Sequence, residues 1–343
     1  MPDSVLTEKT ERECSAFIDE RGYITSPLSA EEENYPIAYS IVAYEKAGEV
    51  ERLLRSIYRP QNVYCIHADK KSEKSFYEAL EGLASCFPNV ILASKRETVV
   101  YAHYSRLQAD FNCMEDLLNF PVNWKYHINL CGTDFPLKTN AEIVRYLQFI
   151  EPSNEIESWP MSKMKKDRIA FAHNLVDGRK LYISKKKGDA KSPPPHEVPE
   201  FAGSAYNILS RAFVDYVMTD EKIQDLKEWS KDVFSPDEFF WAALGRFPLA
   251  PGSIPPTGIF NKNEFQSLAR LTKWQTHVKN GQYPRCHGEY RHDVCVYGAG
   301  DLSWLLEQKH LFANKFSAWT DELALQCLEK ILREREIKNS QDV

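Results

Sequence analysis

The sequence predicts an α/β fold, an open and mostly parallel sheet flanked by helices. Three observations carry that expectation. Strand and helix signals alternate over about 115 residues from position 37 onward, the pattern of βαβ units. The runs IAYSIVAY, NVYCIHAD, NVILAS and KYHINLC are nearly unbroken apolar stretches of strand length. The segments between them carry apolar residues at helical spacing instead.

In order along the chain, IAYSIVAY reads as a buried strand. EVERLLRSIY follows as a helix with Val50, Leu53, Leu54 and Ile57 on one face. NVYCIHAD is the second strand, ending at Asp69, and residues 72 to 84 read as a helix. NVILAS is the third strand, and SRLQADFNCMEDLL an amphipathic helix carrying Leu107, Phe111, Met114 and Leu118. KYHINLC is a further strand whose exit, GTDFPLKTN, leads into a helix near 140 to 149. Such sheets bind ligands beyond the carboxyl ends of their strands, where Asp69, Tyr101 and the 131 to 138 turn fall.

The second half is less regular. KKKGDAKSPPPHEVPE, residues 185 to 200, reads as a basic, proline-rich surface loop. FAGSAYNILS returns to strand character, and residues 261 to 293 read as a polar loop with Trp274 and Tyr283 embedded. VCVYGAGDLSWLL is a strand, a glycine turn and a helix capped by Asp301, and DELALQCLEKILRE is a last amphipathic helix. With no internal repeat and no clean linker, residues 35–343 read as a single catalytic domain behind an N-terminal lead of residues 1–34.

Composition excludes several function classes. With 343 residues, 43% of them apolar, the chain has ample core for a globular enzyme. A formal charge of -6 gives no reason to expect a nucleic-acid partner. No stretch approaches the roughly 18 uninterrupted apolar residues of a membrane span, and MPDSVLTEKTEREC has no signal-peptide core. Read literally, the chain starts in the cytosol. Its eight cysteines argue otherwise, for an oxidising secretory compartment. No C-x-x-C spacing occurs, which speaks against zinc. Apolar flanks make Cys65 and Cys131 candidates for buried free thiols, whereas polar-flanked Cys14, Cys86, Cys286 and Cys295 suit oxidised pairs.

The segment FSPDEFFWAAL places Asp237 and Glu238 directly against an aromatic run. One reading is a helix start, with Ser235 as N-cap, Pro236 at the first helical position and early acids on the positive end of the dipole. The other is a carboxylate at the edge of an apolar pocket, able to take a proton from a substrate. No phosphate-binding glycine loop and no nucleophile elbow is present. No two aspartates are separated by one residue, so the pair that commonly holds a divalent ion on a nucleotide diphosphate is missing. If the chain handles such a diphosphate, cationic side chains must meet its charge.

Taken together, YPIAYSIV, IYRPQNVYCIHAD, ASCFPNVILASK, VVYAHYSRLQADFNCMEDL, WKYHINLCGTDFPLKTN, GSAY, SPDEFFWA and VCVYGAGDLSWLL with LFANKF closely resemble the core 2 and I-branching β-1,6-N-acetylglucosaminyltransferases (glycosyltransferase family 14). The resemblance runs from about residue 14 to 332, far more of the chain than any lone motif. It implies a GT-A type nucleotide-sugar fold, a mostly parallel twisted sheet flanked by helices. It also implies inverting, metal-independent transfer of GlcNAc from UDP-GlcNAc to a C6 hydroxyl, with no cofactor. Family members are Golgi type II membrane proteins, so the resemblance places this chain in the Golgi lumen and leaves residues 1–34 as a stem remnant without its anchor.

The resemblance also implies site residues. The family's general base falls on Glu238, with Asp237 left to cap the helix, and burial against Phe239 or Trp241 would strengthen Glu238 as a base. Lys315 matches a diphosphate-binding lysine. The diphosphate-binding arginine position, counted back from Cys295, holds His292, with Arg291 one residue earlier. Val42, Asp69 and Tyr101 fall on positions around the uridine; an ordinary valine, a turn aspartate and a core tyrosine are the plain alternatives. Glu157, Lys165 and Arg168 fall on acceptor-binding positions, and Trp274 offers an aromatic face to a pyranose. Surface exposure is the plain alternative for these charges.

The implied bridges are Cys14–Cys86, Cys65–Cys113 and Cys286–Cys295, leaving Cys131 a free thiol. Cys327 matches a cysteine whose partner lies in a stem segment, so it is left unpaired or open to another chain, which allows a homodimer. The partners implied are a nucleotide sugar and glycoprotein O-glycan acceptors. Two departures bear on the acceptor: Thr276 stands where the family has tyrosine, and the segment from Trp274 to Cys286 is about four residues short. Core 1 GalNAc, giving core 2 branching, is the first acceptor implied, and poly-N-acetyllactosamine the second. His292 and Thr276 also admit a weakly active glycan-binding relative.

Overall fold

The structure, a computed structural model, describes residues 6, 11–176, 180–181, 190–255 and 264–341. Positions 185–189 of the basic loop and 261–263 of the polar one lie outside the described residues. Two helices precede the sheet, α1 (Glu11–Arg21) and the single turn α2 (Ala30–Glu33). Strand and helix then alternate as β1 (Ile37–Ala43), α3 (Ala47–Ile57), β2 (Val63–Ala68), α4 (Lys74–Ala84), β3 (Val90–Leu92), α5 (Tyr104–Asn119) and β4 (Tyr126–Cys131). After β4 come β5 (Asp134–Pro136), α6 (Asn140–Ile150), β6 (Glu155–Ile156), β7 (Trp159–Pro160), α7 (Lys163–Ala170), β8 (Leu175–Val176) and β9 (Lys180–Leu181). The remainder is β10 (Phe201–Ala202), β11 (Asn207–Ser210), α8 (Arg211–Thr219), α9 (Glu221–Trp229), α10 (Asp237–Leu244), β12 (Arg270–Thr272), α11 (Gln275–Lys279), β13 (Glu289–Arg291), β14 (Val294–Val296), α12 (Leu302–Glu307), β15 (Phe312–Asn314) and α13 (Ala318–Gln341).

The main sheet runs β3-β2-β1-β4-β11-β6. β3, β2, β1 and β4 run parallel to one another, and β11 is antiparallel to both β4 and β6. The chain leaves β1 toward β2 and β3, then α5 carries it back to β4 on the other side. The strand order therefore reverses between β1 and β4, and the crevice beyond their carboxyl ends is where open α/β sheets bind ligands. Val42 and Cys131 face each other across that point in the ladder.

Side chains of β1 alternate, as a pleated strand requires. Ile37, Tyr39 and Ile41 join Val50, Leu53, Leu54 and Ile57 of α3 in one core layer. Ala38 faces the other layer, with Phe111 and Met114 of α5 and Phe240 and Trp241 of α10. A third cluster lies under the small sheet β12-β15-β5, where Leu325, Leu328 and Leu332 of α13 pack on Phe135 and Leu271. The N-terminal lead is tied to the body: Phe17 and Tyr23 enter the first layer, and Arg21 pairs with the buried Glu51 at 2.8 Å.

Several local expectations change. α5 is buried nearly all round, including Ser105, Asp110 and Asn112, while Leu118 is only half-buried, because the helix is wedged between the sheet and α8–α10. The exit from β4 forms β5, and the segment read as a polar loop carries β12, α11 and β13. Asp301 does not cap α12 with its side chain. It is buried, and its carboxylate instead accepts from Lys273 and from the His287 and Gly298 N–H groups.

The start of α10 also differs. Ser235 has φ of 49° and gives only its carbonyl to the Glu238 N–H; no side chain, Asp237 included, caps this helix. The Ser235 N–H is held by the Ala102 carbonyl at 2.7 Å, which fixes the turn in the left-handed region. Pro236 does begin the helical turn, its carbonyl accepting from Phe239 and Phe240. The aromatics then go inward, with Phe240 and Trp241 edge-on to Phe111 at 5.3 and 5.7 Å.

The bridges Cys14–Cys86 and Cys286–Cys295 are formed. Cys65 and Cys113, the third implied pair, are neighbours in the core with sulfurs 2.7 Å apart, longer than an S–S bond and closer than two separate thiols pack. Cys131 and Cys327 are free.

Candidate active site

Three elements bring one group of charges together. The first turn of α10 carries Glu238, α7 carries Lys165 and Arg168 three residues apart on one face, and Glu157 follows β6. Lys165 Nζ and Arg168 Nη1 both donate to the same oxygen of Glu238, Oε2, the arginine at 2.8 Å. Both cations are mostly shielded, so the surface-exposure reading of these charges gives way. Gly203 makes the approach possible. Its N–H donates to the Glu238 carbonyl at 2.8 Å, and a Cβ there would lie 1.9 Å from the Glu157 carbonyl.

Glu238 does not rest against Phe239 or Trp241, as its sequence position suggests. Those rings are buried in the core, and the carboxylate faces two cations. Two carboxyls near it, Glu157 and Asp237, are raised. Burial pushes Glu157 up to about 7 against the pull of Lys165, and Glu238 reinforces the rise. Burial pushes Asp237 up to about 6, opposed first by Arg106.

A second group lies beside the exit of β4, near Cys131 and Asp134. Lys315 follows β15, and its backbone joins the hairpin of β13 and β14 through Tyr297 N–H to Lys315 O at 2.9 Å. Burial lowers the Lys315 ammonium, and Arg291 acts in the same direction, so the two cations are within electrostatic reach. The hairpin turn is His292-Asp293, with φ of 50° and 63°, flanked by the Arg291–Val294 pair. Two residues of positive φ joining paired strands form a type I′ turn. His292 is thus at the tip and Arg291 at the base; Arg291 pairs with Glu289 at 2.9 Å. Trp274 is 44% exposed and bridges Val294 of the same hairpin, with exposed Thr276 beyond it.

Between the two groups lie Cys131 and Tyr206, whose Sγ and hydroxyl approach to 3.5 Å. Tyr206 is within electrostatic reach of Arg106, and Arg106 of Asp237. Asn314 fixes the turn after β4, donating to Asp134 at 2.8 Å and lying 3.3 Å from Cys131 Sγ.

At the third corner, Val42 is half-buried near the end of β1. Asp69 behaves as a turn aspartate, its Oδ1 accepting the Lys71 N–H at 2.9 Å and its Oδ2 3.5 Å from Lys71 Nζ. Tyr101 is 89% exposed, so the core-tyrosine alternative is corrected: it stands on the turn before α5, with its neighbour Ala102 in the left-handed region.

Sequence reasoning missed the Lys273–Asp301 pair, the Arg106–Asp237 relation and the shared grip on Glu238. Only the last left a trace, the i, i+3 spacing of two cations.

An α/β sheet with a cluster of carboxylates and cations around Glu238 and a second cationic group at Lys315 and Arg291 has the form of a group-transfer enzyme. The family model described as Core-2/I-Branching enzyme matches residues 37–306, and the chain belongs to that family. A human protein named beta-1,3-galactosyl-O-glycosyl-glycoprotein beta-1,6-N-acetylglucosaminyltransferase is 48% identical over 341 residues, covering 98% of this chain and 78% of that protein. A protein of the same name from Bovine herpesvirus 4 is 49% identical over 330 residues, covering 95% and 74%. Among solved structures, the mannosyltransferase Ktr4p from S. cerevisiae in complex with GDP is 11% identical over 80% of this chain and 93% of that one; at a TM-score of 0.33 the likeness carries no argument.

Proposed function

We propose that this protein transfers GlcNAc from UDP-GlcNAc to the C6 hydroxyl of the GalNAc in a core 1 O-glycan, in β-1,6 linkage and with inversion. Membership of the family and the names of the relatives support the reaction. The observation that carries the site assignment is the setting of Glu238, a carboxylate held by two cations of α7 with one oxygen engaged and the other without a donor among the described residues.

In this reading the acceptor hydroxyl gives its proton to Glu238 as its oxygen attacks C1 of the donor. The C1–O bond to the diphosphate breaks and UDP leaves with the electron pair. Lys315 and Arg291 meet the charge that develops, in place of a divalent ion. Arg291 is preferred over His292 because it lies within electrostatic reach of Lys315 while His292 sits at the hairpin tip. Val42, Asp69 and Tyr101 border the uridine, and Glu157 and Trp274 the acceptor. Two formed disulfides support an oxidising lumen, which we assign to the Golgi. No helix among the described residues is long and apolar enough to cross a membrane.

The test is incubation of the purified protein with UDP-GlcNAc and a core 1 disaccharide, with chelator present. The expected product is a trisaccharide whose new linkage is β-1,6 by NMR, formed at the same rate with and without chelator. Loss of activity on chelation overturns the metal-independent step. Product only from poly-N-acetyllactosamine overturns the acceptor.

A further inference from the structure

We propose that Lys165 and Arg168 are positioning residues for Glu238, fixing one carboxylate oxygen so that the other is presented to the acceptor hydroxyl. The inference rests on the reading of Glu238 as the base. Two cations from one helix converge on Oε2, and among the described residues none donates to Oε1. A carboxylate free to rotate about its last bond offers either oxygen in many directions. One pinned on a single side offers the remaining oxygen in one, which is what a near-attack geometry requires.

The grip is built into the fold. α7 begins at Ser162, whose hydroxyl accepts the Lys165 N–H at 3.4 Å. At its far end the Arg168 carbonyl accepts the Phe234 N–H at 3.2 Å, and the Arg168 guanidinium lies over the Phe234 ring at 5.1 Å. Phe234 belongs to the turn that launches α10. The helix bearing the cations and the helix bearing the carboxylate are thus fastened at the point of contact, so the pairing does not depend on two long exposed side chains finding each other.

The two cations differ in one respect. Among the charged neighbours of Glu238, namely Lys165, Arg168, Glu157 and Asp237, Lys165 also acts on Glu157. Arg168 is therefore the dedicated anchor and Lys165 a shared one. If these side chains only gripped the acceptor sugar, their removal would weaken acceptor binding and leave turnover of the bound complex alone.

The experiment measures initial rates of Arg168→Gln, Arg168→Lys and Lys165→Met with UDP-GlcNAc and acceptor varied separately. Arg168→Gln is expected to lower kcat by about 10- to 100-fold, the size of effect a misplaced reacting group produces. Its acceptor KM should change less than kcat, Arg168→Lys should retain more kcat, and added guanidinium should restore part of it. Lys165→Met should show the same split in smaller measure, and it carries the test if Arg168→Gln does not fold. A raised acceptor KM with unchanged kcat in these variants overturns the inference. Glu238→Gln run alongside separates the two levels: if it keeps most activity, the base assignment itself falls, whatever the cation variants do.

Discussion

Lys273 donates to the carboxylate of Asp301 at 2.7 Å, and neither side chain is exposed at all. The other carboxylate oxygen accepts the His287 and Gly298 N–H groups, both at 3.0 Å, so one buried acid ties the end of β12 to the disulfide loop and to the glycine turn. Removing the lysine leaves that acid without its cation. Lys273→Met should cost about 3–5 kcal/mol, the usual penalty for breaking a buried ion pair from one side. Chemical denaturation of the oxidised protein checks this; a loss below about 1 kcal/mol would show that water or a neighbour replaces the lysine.

The two disulfides should differ in what they protect. Cys14 and Cys86 are 72 residues apart, Cys286 and Cys295 only nine. In the chain-entropy account the long loop is worth about 4 kcal/mol and the short one about 2.6 kcal/mol. The short bridge, however, closes the hairpin that carries Arg291 and whose Cys295 carbonyl accepts the Lys315 N–H at 3.4 Å. Cys14→Ser is therefore expected to lower the melting temperature more, and Cys286→Ser to lower UDP affinity more. Melting curves and calorimetric titration with UDP on both variants decide it.

These contrasts mark where the sequence was legible. Five of the six strands of the main sheet, all but the two-residue β6, and the helices α3, α4 and α6 could be read from apolar runs because each buries a continuous face, a local property of the chain. Glu238, Lys315 and the bridges Cys14–Cys86 and Cys286–Cys295 were named from motif resemblance. Cys65 and Cys113, paired by the same resemblance, lie side by side in the core. What stayed hidden depends on partners far apart in sequence. Lys273 looks like an ordinary charge in a polar stretch and Asp301 like a helix cap, and only the folded chain brings them together. Ser235 has the composition of a helix cap, but the Ala102 carbonyl, 133 positions earlier, holds its N–H and turns it into the left-handed region.

The raised carboxyls predict a pH dependence of stability in the ligand-free protein. Glu157 is moved from 4.5 to about 7, chiefly by burial. Between those values the folded chain keeps a proton that the unfolded chain has released. Its contribution to stability is therefore full below about pH 4.5, falls as the pH rises toward 7, and is flat above. Asp237, moved from 3.8 to about 6, acts in the same sense over a lower window. Glu157→Gln should remove its share of the decline between about pH 4.5 and 7, up to about 3 kcal/mol, and leave the share of Asp237 below about pH 6. Urea denaturation of both proteins at intervals across this range tests the sign. Stability rising with pH there in the native chain, with no difference in the variant, would mean that Glu157 is ionised throughout.

The cation end of the crevice gives the sharpest prediction about the proposed chemistry. Lys315 and Arg291 are within reach of each other, and His292 occupies the tip of the turn. If the pair meets the departing diphosphate, Lys315→Ala and Arg291→Ala should each lower kcat/KM by about 100- to 1,000-fold, as loss of a charge-stabilising donor does elsewhere. UDP affinity should fall with them. His292→Ala should change either quantity by less than about threefold, because His292 sits at the tip of the turn and leaves the charge to Arg291 and Lys315. Steady-state rates at saturating acceptor, with UDP binding measured separately, distinguish the two positions. A large loss in His292→Ala with Arg291→Ala nearly intact would move the arginine's role to the tip of the hairpin and require the turn to reorganise when the nucleotide binds.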